Sequence, residues 1–123
     1  MGTVLIVEDN DKNMKLARDV LQAKGYATLE AVTGEEGVRL AREKLPDLVL
    51  MDIQLPGING IEAFRQIRAD AKTARIPVVA LTASVTPTDR SEISAAGFDA
   101  FIGKPINLKE FVATVKRLVE GKK

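Results

Sequence analysis

Two hydrophobic rhythms alternate along the chain. Short apolar runs take turns with longer stretches in which apolar residues return every three or four positions. Thr3–Val7, Leu48–Met51 and Ile76–Leu81 belong to the first kind and read as strands buried on both faces. Tyr26–Ala31 is more mixed, which predicts a strand near the sheet edge, and Asp99–Ile102 predicts a short fifth strand. Met14, Ala17, Val20 and Leu21 keep helical spacing up to a stop at Gly25. Thr33 with Glu36 forms a capping box for a second helix through about Lys44. Asn59 with Glu62 caps a third, whose expected apolar face is Ile61, Phe64, Ile67 and the stem of Arg68. Thr86-Pro87-Thr88-Asp89 supplies a cap, a first-position proline and an acid for a fourth helix ending at Gly97. Asn107 with Glu110 opens a last helix through about Val119. Ala95, Ala96 and the valine-rich runs are expected in the core. Only Gly121-Lys122-Lys123 is expected to be loose. Five strands alternating with five helices predict an α/β doubly wound sheet with right-handed crossovers.

The polar residues at the strand ends sharpen this picture. Asp9 follows the first strand, Asp52 the third, Thr82 the fourth and Lys104 the fifth. In an open parallel sheet, ligands bind beyond the carboxyl ends of the strands, at the topological switch point. A strand order of 2-1-3-4-5 would place that point between Asp9 and Asp52, although spacing alone leaves the order open. The sharpest case is Leu48-Val49-Leu50-Met51-Asp52-Ile53-Gln54-Leu55-Pro56, where a buried run stops at a carboxylate. A charge there is expensive unless something uses it.

Composition then removes alternatives. The 123 residues fit one domain, large enough to bury roughly two-thirds of the unfolded surface. Lys plus Arg is 18 and Asp plus Glu is 17, so no global field favours nucleic acid or anionic lipid. No apolar run approaches the ~20 residues of a membrane span. The absence of cysteine excludes thiol chemistry and suits a cytoplasmic location. The absence of histidine excludes a phosphohistidine carrier, a His-based metal site and a Ser-His hydrolase.

What remains is oxygen chemistry. Glu8, Asp9 and Asp52 would crowd together, and two like charges ~4 Å apart repel by about 4 kcal/mol at an effective dielectric near 20. Lys104 offsets part of this. A divalent cation would complete the balance, and clustered carboxylates favour Mg²⁺ or Mn²⁺ over zinc. A metal, a lysine, a threonine hydroxyl and a carboxylate nucleophile are the parts for phosphoryl transfer to aspartate.

Four motifs in order carry a family resemblance. Leu5-Ile6-Val7-Glu8-Asp9-Asn10, Pro46-Asp47 with Met51-Asp52-Ile53-Gln54-Leu55-Pro56, Ile76-Pro77-Val78-Val79-Ala80-Leu81-Thr82-Ala83, and Lys104-Pro105 resemble a response-regulator receiver domain. The similarity runs from about Val4 to Val119. Glu8-Asp9-Asn10, Asn13-Met14-Lys15-Leu16 and Lys104-Pro105-Ile106 are closest to single-domain cell-division regulators and to receivers of hybrid histidine kinases. The resemblance implies a flavodoxin-like, CheY-like five-stranded parallel sheet of order 2-1-3-4-5, flanked by five helices, with residues 1–123 as a single domain. It implies that Asp52 accepts a phosphoryl group from a histidine kinase or histidine phosphotransfer protein. Asp9 would bind Mg²⁺ directly, Glu8 would assist through water, and Gln54 would offer its backbone carbonyl. Lys104 would contact the acceptor and then the phosphoryl oxygens, and Thr82 would turn its hydroxyl inward. Phe101 stands where the family has a switch aromatic, here without a hydroxyl. Gln54 and Ser84 stand where phosphate lifetime is tuned, and Lys104–Pro105 is expected to be cis. Glu8 departs from the more usual aspartate. The chain would promote its own phosphorylation and dephosphorylation rather than act as an enzyme on other molecules. It would signal through the face of the fourth helix, fifth strand and fifth helix to downstream proteins, as a monomer or weak dimer without nucleic acid or membrane. No DNA-binding or catalytic segment accompanies the motifs, so output is expected through protein contacts.

Plainer readings exist for each residue. An aspartate ending a strand is commonly a turn former, Thr82 alone a turn hydroxyl, Lys104 alone a surface charge, and Phe101 alone a core ring. Lys12, Lys15 and Arg18 read as a solvated face more than a docking surface. A flavodoxin-type nucleotide module would need a phosphate loop where Glu8-Asp9 stands. A haloacid-dehalogenase phosphatase would need a second acid at Gln54. A receiver cut from a hybrid kinase or multidomain regulator, or a pseudo-receiver scaffold without phosphorylation, keeps the fold and stays open.

Overall fold

The computed structural model describes residues 2–55, 57–83, 87–104 and 106–120, with side chains throughout except at 87–90. The expectations placed on Ser84, Thr86, the Lys104–Pro105 peptide and residues 121–123 lie outside the described residues. Strands and helices alternate as β1 (Thr3–Val7), α1 (Asp11–Ala23), β2 (Ala27–Ala31), α2 (Gly34–Lys44), β3 (Leu48–Asp52), α3 (Gly60–Ala69), β4 (Val78–Thr82), α4 (Pro87–Ala96), β5 (Ala100–Gly103) and α5 (Leu108–Glu120). The strands form one sheet of order β2-β1-β3-β4-β5, every neighbouring pair parallel.

The unbroken apolar runs follow from helices covering both faces. Successive strand side chains point to opposite sides. Val4, Ile6, Leu48, Leu50, Val79 and Leu81 therefore share one core with Met14, Leu21, Phe111 and Val115. Leu5, Val7, Val49, Met51 and Val78 share the other with Val38, Ala63, Phe64 and Ile67. Each large side chain so enclosed contributes roughly 1.5–3 kcal/mol. Edge strand β2 is exposed at Ala27 and Glu30 and buried at Ala31, as its mixed composition predicts.

Helix starts are set by side-chain caps. Asn10, Thr33, Asn59 and Asn107 accept hydrogen bonds from the backbone N–H of Asn13, Glu36, Glu62 and Glu110. Three of these are legible in the sequence; the Asn10 cap is not in the expectation. The carboxylate of Glu36 reaches the N–H of Val32, one residue before the cap.

Several expectations shift. Tyr26 precedes β2, because its N–H closes the end of α1 on the Leu21 carbonyl at 3.0 Å. Ile76 lies in a turn bonded to Thr73, so β4 begins two residues later. β3 and β4 each run one residue further, into Asp52 and Thr82. β5 is displaced by one, because Asp99 stays outside it and turns its carboxylate to the N–H of Val78 at the start of β4. Ala95 is exposed and not core, and Ala96 is half-buried, since the exposed side of α4 carries both small and polar residues. On α3, Ala63 fills the core where Ile61 was expected, and Ile61 is half-buried.

Candidate functional site

Register brings the strand-end residues together. Val7 pairs with Met51, so Glu8 and Asp9 leave β1 beside Asp52 at the end of β3. Thr82 pairs with Gly103, and the N–H of Lys104 donates to the Thr82 carbonyl at 2.8 Å. Strand order supplies the rest: β1 and β3 are neighbours, and helices leave them on opposite faces, which opens the crevice between their ends.

Carboxylate oxygens of Glu8, Asp9 and Asp52 lie within 4.8 Å of one another. Glu8 is 1% exposed and Asp52 3%, whereas Asp9 stands open to solvent. The ammonium of Lys104 lies 2.7 Å from Glu8 Oε1 and 3.1 Å from Asp52 Oδ2. The sequence predicts a contact of Lys104 with Asp52; the structure adds a shorter one to Glu8. Its cause is the extra methylene of glutamate, which carries the carboxylate over to the lysine. Asp52 Oδ1 accepts from the N–H of Gln54 at 3.0 Å, and Glu8 Oε2 accepts from the N–H of Asn10 at 3.1 Å. The side chain of Gln54 is exposed, and Thr82 is buried.

The charges are strained against burial. Burial pushes the Glu8 carboxyl above its ordinary range; the Lys104 ammonium pulls it down, and the neighbouring Asp52 adds to the rise. Burial alone would lower Lys104, but its bond to Glu8 and the field of Asp52 outweigh this, so it stays charged more firmly than a free lysine. Glu8 Oε1 is fully buried and accepts no hydrogen bond of good geometry, meeting the Lys104 ammonium as an ion pair. An under-satisfied buried oxygen beside two further carboxylates fits a hard divalent cation with oxygen ligands. The side chain of Asp9 makes no hydrogen bond or ion pair among the described residues, which leaves it available to such an ion.

Two glycines shape the loop around Asp52. A Cβ at Gly60 would lie 2.2 Å from the Asp52 carbonyl oxygen, so only glycine lets the start of α3 press against the end of β3. Gly57 adopts a left-handed φ of 75°, where a Cβ would also strike the Glu35 carboxylate. Gly60 was missed as a site residue: Asn59-Gly60 reads in the sequence only as a turn and cap. Phe101 is 39% exposed on β5, so the reading of it as a core ring fails. Lys15 and Arg18 pair with Asp19, and Arg18 also with Glu30, as a solvated helix face does.

Residues 4–116 match the family described as the response regulator receiver domain. The chain is 46% identical over 114 residues to the polar-differentiation response regulator DivK of Brucella ovis, covering 93% of each chain. It is 33% identical to the receiver domain of a sensor histidine kinase from Pseudomonas aeruginosa, covering 97% of this chain and 98% of that one, with a TM-score of 0.90. The structure of that protein has a magnesium ion coordinated in its active site cleft. The signal receiver domain of a histidine kinase from Syntrophus aciditrophicus superposes with a TM-score of 0.93 at 32% identity, over all of this chain and 93% of that one.

Proposed function

Since the chain belongs to the response regulator receiver domain family, and so is a two-component signalling domain, we propose that it is the phosphoacceptor of a phosphorelay, with Asp52 as the acceptor. The observation that carries this reading is the convergence of Glu8, Asp9 and Asp52 within 4.8 Å, with the Lys104 ammonium 3.1 Å from Asp52. In this reading residues 1–123 act as one receiver domain.

Asp52 attacks the phosphorus of a phosphohistidine on a histidine kinase or histidine phosphotransfer protein. The P–N bond breaks, its electron pair leaves with the imidazole, and the ring takes a proton from solvent. Lys104 then turns its charge toward the phosphoryl oxygens, and the Thr82 hydroxyl donates to one of them. Asp9 and Asp52 would hold Mg²⁺ (or Mn²⁺) directly, with the Gln54 carbonyl, and Glu8 would act through water. Bound there, the ion would offset the charge gathered on carboxylate and phosphoryl oxygens. Hydrolysis reverses the state: water attacks phosphorus, phosphate leaves, and the Asp52 carboxylate returns. Gln54 and Ser84 occupy the sequence positions that in the family tune how fast the phosphate is lost.

The phosphoryl group adds roughly −1.5 to −2 charges at a crowded site. Thr82 and Phe101 transmit the change to the surface formed by α4, β5 and α5, where downstream proteins bind. The change is a population shift between existing states. To test the assignment, the protein is incubated with a small-molecule phosphodonor and Mg²⁺ and weighed intact. The parent should gain one phosphoryl group and Asp52→Asn none; equal labelling of both would move the acceptor elsewhere.

A further inference from the structure

Asn59-Gly60 is the one place in the chain where asparagine precedes glycine. Asn10, Asn13 and Asn107 are followed by Asp11, Met14 and Leu108, whose side chains crowd the next peptide nitrogen. Glycine carries no Cβ, so its nitrogen can react with the neighbouring asparagine amide. The Gly60 nitrogen gives its proton to hydroxide and attacks Asn59 Cγ. The Cγ–Nδ2 bond breaks, and ammonia leaves with a proton taken from water. Water then opens the resulting succinimide. Cleavage between the ring nitrogen and Cγ gives aspartate; cleavage between the nitrogen and the backbone carbonyl carbon gives isoaspartate, whose main chain runs through Cγ.

Asn59 is exposed, so water and hydroxide reach it, yet two hydrogen bonds stand against the reaction. Asn59 Oδ1 accepts from the N–H of Glu62 at 2.9 Å, which fixes the side chain as the cap of α3. The attacking nitrogen belongs to a buried residue, and its N–H donates to the Ile53 carbonyl at 3.0 Å. Ring closure must bring that nitrogen into the plane of the Asn59 side chain, which turns ψ away from its 173° and breaks these bonds. We infer that Asn59 is a spontaneous-modification site that the fold keeps shut, opened when the start of α3 comes away from the end of β3. The rate is then that of the open chain multiplied by the fraction open.

The two products have different consequences. Aspartate caps a helix as well as asparagine does, and its charge suits a helix N-terminus. Isoaspartate adds a methylene to the main chain ahead of Gly60, where there is no room. Even a Cβ on Gly60 would lie 2.2 Å from the Asp52 carbonyl oxygen and 2.7 Å from Ile53 Cα. The isomer therefore forces α3 off the end of β3, beside the acidic notch. The inference does not depend on Asp52 accepting a phosphoryl group.

The test ages the full chain in mildly alkaline buffer, beside a synthetic peptide of residues 57–64 and the full chain held unfolded in urea. Intact mass reports the exchange of amide for acid, and peptide mapping places it. Methyl transfer by an isoaspartate-specific methyltransferase counts the isomer. Modification should fall on Asn59 and run about tenfold slower, or more, in the folded chain than in the peptide, because hydrogen bonds must open first. Unfolding in urea should raise the rate to that of the peptide. Asn59→Asp should gain no mass at position 59 and keep the urea midpoint of the parent. The isoaspartate fraction, made in urea and separated by chromatography, should unfold at lower urea than Asn59→Asp or fail to refold. The inference is overturned if folded chain and peptide react at one rate, or if the unfolded chain is as slow as the folded one. It is also overturned if Asn10, Asn13 or Asn107 reacts before Asn59 in the folded chain. Equal urea midpoints for the isoaspartate fraction and Asn59→Asp would overturn it as well, since Gly60 would then have room to move.

Discussion

The two edges of the sheet use the same side chain for opposite purposes. At the amino edge, Asp47 Oδ2 accepts the N–H of Thr3 at the start of β1, at 2.8 Å. Asp99 Oδ2 accepts the N–H of Val78 at the start of β4, also at 2.8 Å, and pairs with Arg68 at 2.6 Å. Arg68 in turn donates to the Ile76 carbonyl and lies over the Phe64 ring, which stacks on Phe98. Thr73, fully buried, donates to the Ile67 carbonyl. Each polar group there ends on a donor or acceptor of the backbone. At the carboxyl edge, carboxylates face one another, and among the described residues Glu8 and Asp52 share the lysine Lys104. One edge closes its hydrogen bonds internally. The other gathers like charges that its own hydrogen bonds leave unbalanced.

Substitutions should separate the two edges. The largest effect is expected for Gly60→Ala, whose Cβ meets backbone that cannot step aside: a loss of about 3 kcal/mol in urea unfolding, with slowed acceptor labelling. Asp99→Ala should cost about 2 kcal/mol, because it leaves the buried N–H of Val78 without a partner, yet labelling at Asp52 should continue. At the opposite edge, Asp9→Asn should leave stability unchanged or raise it by up to ~1 kcal/mol, since it removes a carboxylate from a repelling group. Mg²⁺ should raise the melting temperature of the parent, and the same variant should lose that rise. A destabilised Asp9→Asn protein that kept its response to Mg²⁺ would erase the contrast.

The smallest effect is a pH signature at the amino edge. Burial, and then the Glu120 carboxylate, raise the phenol of Tyr26 above its ordinary value of 10.0. A phenol raised on folding stabilises the protein fully below the unfolded value and loses that contribution as pH climbs through the folded one. Denaturant midpoints should therefore fall more above pH ~10 for the parent than for Tyr26→Phe. Parallel curves would detach Tyr26 from the fold's pH response.

Most of this architecture is legible in the letters, and the reasons differ by residue. Leu48–Met51 could be assigned because helices on both faces force a continuous apolar run. Thr33, Asn59 and Asn107 could be assigned because a cap and its acid lie a fixed three residues apart. Asp52 was harder: by itself it differs little from Asp47 or Asp99, and only Asp9, Thr82 and Lys104 at the matching ends of other strands set it apart. The failures share a cause. Whether Ala95 or Ala63 reaches the core depends on how each helix is rotated against the sheet, which periodicity leaves uncertain by a residue. That Lys104 lies nearest Glu8 depends on ångström-scale reach, and that Gly60 must be glycine depends on a carbonyl brought close by tertiary packing.

The central claim is that a phosphoryl group is carried on the carboxylate of Asp52, and chemical trapping tests it most directly. After reaction with a small-molecule phosphodonor and Mg²⁺, borohydride reduces an aspartyl phosphate to homoserine, which peptide mass spectrometry locates. Homoserine at position 52 alone is the predicted result. Homoserine at position 9 or 47, or none in a protein that has gained phosphate, would contradict it.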